Sequence, residues 1–108
     1  MSSWKGYYEL DGVKTEMRLK KFKVKGNKIS GNGDDEIGEF DIIGDYNAEH
    51  KVSFIKQYKG AHQVHYNGEI DGQSISGHWE VNGLSGKFNF SNELHWAGQT
   101  STMDSKTK

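Results

Sequence analysis

The chain has 108 residues, of which 32% are hydrophobic and 14 are glycine, with no proline, no cysteine and a formal net charge of -1. Such a composition supports one globular domain, and it excludes a disulfide scaffold, thiolate chemistry and disorder driven by self-repulsion. The opening Met1-Ser2-Ser3-Trp4-Lys5-Gly6 lacks the apolar stretch of a signal peptide, and no run approaches the roughly 18 apolar residues of a membrane helix, so the expectation is a cytoplasmic protein without a membrane span.

Apolar residues alternate with period two almost throughout, and no window repeats at helical spacing, so the chain reads as all-β. The first strand, 3 to 10, turns at Asp11-Gly12, a pair that supplies the positive φ angles of a two-residue hairpin loop. With that loop, Gly6 faces Met17, Tyr8 faces Thr15 and Glu9 faces Lys14. In the second strand, 13 to 24, the inward parity of Met17 and Leu19 gives way to that of Phe22 and Val24, which predicts a β-bulge. Strands 28 to 33 and 38 to 46 form a hairpin through Asp34-Asp35-Glu36. Strands 51 to 58 and 62 to 70 alternate unbroken from Val52 to Ile70 around a turn at Lys59-Gly60-Ala61. Asp71-Gly72 is read as the next two-residue loop, which sets Tyr66 against Gly77, Val64 against Trp79 and His65 against His78. Strands 73 to 81 and 84 to 90 join at Asn82-Gly83, with Gly77 opposite Phe88, Trp79 opposite Gly86 and Ile75 opposite Phe90. Glu9-Leu10-Asp11-Gly12 is echoed by Glu69-Ile70-Asp71-Gly72.

Eight sequential antiparallel strands with one apolar face predict an up-and-down β-barrel over residues 1 to 90, with a two-sheet sandwich as the alternative. Residues 91 to 108 form a polar extension, expected to be disordered from about 99, in which Leu94 and Trp96 offer a plug or cover for the barrel. The succession of strands from 4 to 90 resembles the calycin and avidin type of small meander barrel. That resemblance implies a scaffold holding a small ligand inside or at its mouth. Where lipocalins carry a Gly-x-Trp signature near the first strand, this chain has Trp4-Lys5-Gly6.

Lys56 shares the inward parity of Val52, Phe54, Tyr58, Val64 and Tyr66 and is the chief anomaly of the pattern, because a buried ammonium is costly unless paired. One reading has it snorkel to water at the rim and pair with an acidic loop residue; the other makes it a desolvated site residue. The turns at 11 to 12, 34 to 36, 59 to 61 and 82 to 83 share one end of the barrel, which gathers Tyr8, Asp34, Asp35, Lys56, Tyr58, His62 and Trp79. Aromatic walls with a few convergent polar groups describe a small-ligand site, and Lys56 and His62 suit an anionic or carbonyl-bearing ligand. The candidate ligand-binding residues are therefore Tyr8, Lys56, Tyr58, His62, Tyr66 and Trp79.

Other chemistries find less support. His65 and His78, opposed on the outer face, give too few ligands for a zinc site, and the acidic run at Asp34-Asp35-Glu36 lacks EF-hand spacing, so no metal or cofactor is expected. Lys20, Lys21, Lys23, Lys25 and Lys28 form a basic stretch in a chain that is not basic overall, and no nucleic-acid partner is expected. There is no Gly-x-Ser-x-Gly elbow or phosphate-binding loop, and Ser30, Ser53, Ser74, Ser76 and Ser85 all face outward, so no catalytic residues are assigned and the protein reads as a binder, not an enzyme. A Schiff base at Lys56, or His62 acting as a base with Asp35, is the chemistry an enzymatic reading would use. The alternative function is recognition of a protein or glycan by the outer surface of a solid barrel, through Tyr7, His65, Asn67 and His78.

Overall fold

The computed structural model describes residues 2 to 94. Eight strands follow one another: β1 (Ser2–Leu10), β2 (Val13–Lys25), β3 (Lys28–Asp34), β4 (Glu39–Tyr46), β5 (Lys51–Tyr58), β6 (Gln63–Asp71), β7 (Ser74–Val81) and β8 (Leu84–Leu94). Each pairs antiparallel with its neighbours, and β1 closes on β8 from Ser2↔Leu94 to Tyr8↔Phe88, so the sheet is a closed barrel and not a sandwich. β8 runs to Leu94, four residues past the strand end at 90 that the alternation suggests. Trp96 and the polar tail beyond it lie outside the described residues, as does the side chain of Leu94. No helix among the described residues is long and apolar enough to cross a membrane.

Turn chemistry sets the register. Asp11 and Gly12 have φ of 52° and 81°, and Asn82 and Gly83 have 48° and 83°, so both pairs are two-residue loops with two left-handed residues. Their registers are the expected ones, with Gly6↔Met17 across the first and Trp79↔Gly86 across the second. The β6–β7 hairpin differs. Asp71 stays in the strand opposite Ser74, and the loop is Gly72-Gln73, with only Gly72 at positive φ. A loop with glycine first and an ordinary residue second is the other primed geometry, and it shifts the register by two. Tyr66 therefore faces Trp79 and not Gly77, and Gly68 faces Gly77. A shift of two preserves which face each residue occupies, so the core survives the error.

The bulge in β2 falls between Lys20↔Asn32 and Lys23↔Ser30, with Lys21 at a φ of 52°. The extra residue returns Phe22 to the interior, where it lies 7% exposed and edge-on to Phe90 at 5.4 Å. Much of the barrel is packed solid. Phe54 stacks on Tyr66 at 4.8 Å, and Phe88 meets both edge-on at 5.7 and 4.8 Å. Small residues let strands carrying these rings curve: Gly68 and Gly77 oppose each other so closely that a Cβ on either would strike a neighbouring carbonyl. The aromatic filling occupies the centre of the barrel, and the end that carries the four turns after β1, β3, β5 and β7 is left open.

Candidate ligand site at one end of the barrel

A cavity of about 300 Å³ occupies that open end, at the small limit of ordinary ligand pockets. All six residues singled out in the sequence, Tyr8, Lys56, Tyr58, His62, Tyr66 and Trp79, line it. Leu10, Val64, Val81 and Leu84 complete the apolar wall, and Glu36 and Ile37 come from the β3–β4 loop. Leu10 and Val81 continue the inward parity of Tyr8 and Trp79, so their place was readable from the alternation. Ile37 was not readable. It stands 53% exposed on a loop, where no periodicity applies.

Three wall residues are fixed by contacts with the backbone. The Trp79 indole N–H donates to the Glu9 carbonyl at 3.0 Å, and the ring lies against Gly86, where a Cβ would displace it. Tyr58 and His62 face each other across Lys59-Gly60-Ala61 in the β5–β6 connection, closed by the Tyr58 N–H donating to the His62 carbonyl at 3.1 Å, with their rings 5.0 Å apart. His62 sits in the turn just ahead of β6, exposed at the rim.

Lys56 does not reach water. It is 1% exposed and is the buried charged residue of the described core. Its ammonium donates to Asp35 Oδ2 at 3.1 Å, and four aromatic rings surround it: Tyr58 at 4.6 Å, Tyr8 at 4.8 Å, Phe40 at 5.0 Å and Tyr66 at 5.4 Å from Nζ to centroid. Met17 Sδ lies 3.4 Å from Nζ. The rim reading thus fails on exposure and holds on partnership, because the acid is a loop residue folded inward. The Asp35 carboxylate is fully buried, and its oxygens are held by three donors: the Ile37 N–H at 2.9 Å on Oδ1, and the Tyr58 hydroxyl at 2.6 Å beside Lys56 on Oδ2.

Desolvation pushes the Lys56 ammonium down to about 8, against the opposing pull of Asp35. Burial first, then the hydrogen bond to Asp35, raises Tyr58 far above the ordinary phenol range, and burial with the Asp35 charge raises Tyr66 likewise. Tyr8 is raised by burial, with a hydrogen bond to Thr15 acting the other way. The phenols stay protonated through the range around 8 in which Lys56 titrates.

Several expected juxtapositions are absent. Asp34 points outward, held by Arg18 at 2.7 Å and Lys20 at 3.1 Å, and does not join Asp35 at the cavity. Those two cations hold its carboxyl below the usual range. His65 faces Glu80 and His78 faces Asn67, so the two histidines are not opposed, and no cluster of three metal-ligating side chains occurs among the described residues. Asp35 is bonded to Lys56, Tyr58 and the Ile37 amide, not to His62. Comparison of the chain with protein-family models, curated proteins and solved structures returns no match.

Proposed function

We propose that this protein binds a small, largely apolar molecule in the open end of its barrel and does not turn it over. The observation that carries this reading is the aromatic and aliphatic cup of about 300 Å³ beside a single buried ammonium held in place by Asp35. Apolar walls supply affinity by burial, at roughly 25 cal/mol per Å² removed from water, and a few fixed polar groups orient the occupant. Since Asp35 already balances the charge of Lys56 and Glu36 stands at the rim, a carbonyl-bearing ligand suits the cup better than an anion.

Native mass spectrometry of the purified protein tests this. The expected result is an added mass that vanishes on denaturation, with occupancy at least tenfold lower in Val81→Trp, which fills the mouth from a half-buried wall position. An apo mass, together with no calorimetric response to a panel of planar apolar carbonyl compounds, overturns it.

A further inference from the structure

Resting on that binding reading, the geometry points to a more specific occupant: we propose that Lys56 captures an apolar aldehyde as a reversible protonated imine inside the cavity. Three features of the site fit this chemistry. First, Lys56 is among the residues lining a cup whose other walls include Trp79, Val64 and Leu10, and Tyr8, Tyr58 and Tyr66 both line that cup and stand 4.6 to 5.4 Å from its Nζ, so an apolar aldehyde with its hydrocarbon part buried in the cup has to pass between these rings to meet the amine. Second, the surroundings that accommodate an ammonium accommodate an iminium equally well, because both carry one positive charge; Asp35 at 3.1 Å remains the counterion and the four rings remain the cage. Third, a proton carrier is in place. Asp35 Oδ2 contacts both the Lys56 ammonium and the Tyr58 hydroxyl, so a proton leaving the amine has an acceptor within hydrogen-bond reach.

The step balances without any further reactant. The ammonium passes one proton to Asp35, and the freed nitrogen lone pair attacks the carbonyl carbon while the C=O π pair moves to oxygen. That oxygen takes the proton from Asp35 to give the carbinolamine. The restored Asp35 carboxylate then takes a second proton from the cationic carbinolamine nitrogen, which frees its lone pair, and passes that proton to the hydroxyl; the C–O bond breaks as the lone pair forms C=N, and water leaves. Overall, a lysine ammonium and an aldehyde become an iminium and water, with charge conserved and no oxidant or reductant consumed. Desolvation of the amine assists by raising the neutral fraction, as it does for other nucleophilic lysines in apolar pockets.

Reductive trapping tests the proposal on the unmodified full chain. The protein is incubated with trans-cinnamaldehyde and sodium cyanoborohydride, and the labelled lysines are mapped by proteolysis and mass spectrometry. Cinnamyl alcohol, which has the same carbon skeleton and cannot condense, reports cavity binding separately by calorimetry and serves as competitor. The expected result is labelling of Lys56 at least tenfold faster than of the exposed Lys23 and Lys87, suppressed at least fivefold by saturating cinnamyl alcohol. Binding of the alcohol without a Lys56 adduct overturns the imine and leaves the cup standing as a binding site. Failure of both alcohol and aldehyde to bind overturns the two readings together. Labelling that follows exposure, or Lys56 labelling that the alcohol does not slow, also overturns the proposal, because it removes the cavity from the reaction.

Discussion

At the scale of single residues, the Asp35–Lys56 pair dominates because neither charge has water to fall back on. Breaking a buried pair on one side costs about 3 to 5 kcal/mol, whereas replacing both partners with neutral groups of similar size is often neutral or stabilising. Asp35→Asn leaves the Lys56 ammonium without a counterion, and Lys56→Met leaves the Asp35 carboxylate with only the Tyr58 hydroxyl and the Ile37 N–H. At pH 7 Asp35→Asn is expected to lose about 3 kcal/mol in urea unfolding, Lys56→Met to lose less because it also relieves the burial cost of the ammonium, and the double variant to lie within about 1 kcal/mol of wild type or above it. Single losses that simply add would show that the two groups do not interact. The same pair predicts an alkaline stability profile. Lys56 falls to about 8 on folding from an ordinary value near 10.5, so below pH 8 it is charged in both states and its burial penalty is fully present. Between there and the unfolded value the unfolded chain binds the extra proton, and stability rises with pH by about 2 kcal/mol from pH 7 to 9.5. Tyr58 and Tyr66 act in the opposite sense. Their raised folded values mean that above about pH 10 the unfolded chain sheds phenolic protons that the folded chain keeps, and stability falls again. A maximum between pH 9 and 10, missing its rising limb in the double variant, is the expected outcome of urea titrations across that range.

At the scale of elements, the β2 bulge is what keeps one strand serving the core at both ends. Met17 and Phe22 are both buried although their parities differ, and Lys21 absorbs the difference at a φ of 52°. A left-handed backbone disfavours any residue with a Cβ by about 1 to 2 kcal/mol, so Lys21→Gly is expected to raise stability by about 1 kcal/mol. Deleting Lys21 instead leaves Met17, Leu19, Phe22 and Val24 in unbroken alternation on the inner face and returns β2 to one register with β3, so the cooperative thermal transition is expected to survive; its loss would show that the twist of the bulge, and not only the facing of Phe22, is needed to close the barrel. Elements were legible where a local rule determined them. Alternation marked faces, Asp11-Gly12 and Asn82-Gly83 marked loops, and the parity break marked the bulge. The near-identical Glu9-Leu10-Asp11-Gly12 and Glu69-Ile70-Asp71-Gly72 nevertheless end in different turns, because Asp71 remains opposite Ser74 while Asp11 takes a left-handed conformation. Dipeptide chemistry permits both primed loops, and only the pairing of the whole strand chooses between them. The six cavity residues were legible for the same reason as the strands, since inward parity and a shared barrel end suffice to gather them. That an acidic loop residue at this end pairs with Lys56 was legible too; that it is Asp35 and not Asp34, and that its carboxylate is buried, was not, because a carboxylate turned inward from a loop obeys no period and is fixed by three donors distributed over β5 and its own turn.

At the scale of the whole molecule, closure decides whether the cup exists. The wall that Tyr8 and Leu10 contribute comes from β1, which is held to the rest by β2 on one side and β8 on the other. Alternation places the end of β8 at 90, yet the ladder with β1 continues through Lys5↔Ser91, Trp4↔Asn92, Ser3↔Glu93 and Ser2↔Leu94. The Asn92 N–H also reaches across to the Gln73 carbonyl at 2.8 Å, tying this last stretch to the β6–β7 turn at the end opposite the cavity. A chain ending at 90 forfeits those pairings and leaves the first residues of β1 as an unpaired edge. With about 1 kcal/mol for each ladder hydrogen bond lost, the 1–90 chain is expected to be less stable than the 1–94 chain by about 2 to 4 kcal/mol in urea unfolding. An edge of that kind also recruits other chains, so light scattering should detect association in the 1–90 chain at concentrations where the 1–94 chain stays dispersed. Equal stability of the two chains would mean that closure is complete by Tyr8↔Phe88 and Gly6↔Phe90 alone. In that case the cavity end would carry the barrel's integrity by itself, and a ligand bound in the cup as proposed, between walls drawn from β1, β6 and β7, would raise the melting temperature of the 1–90 and 1–94 chains alike.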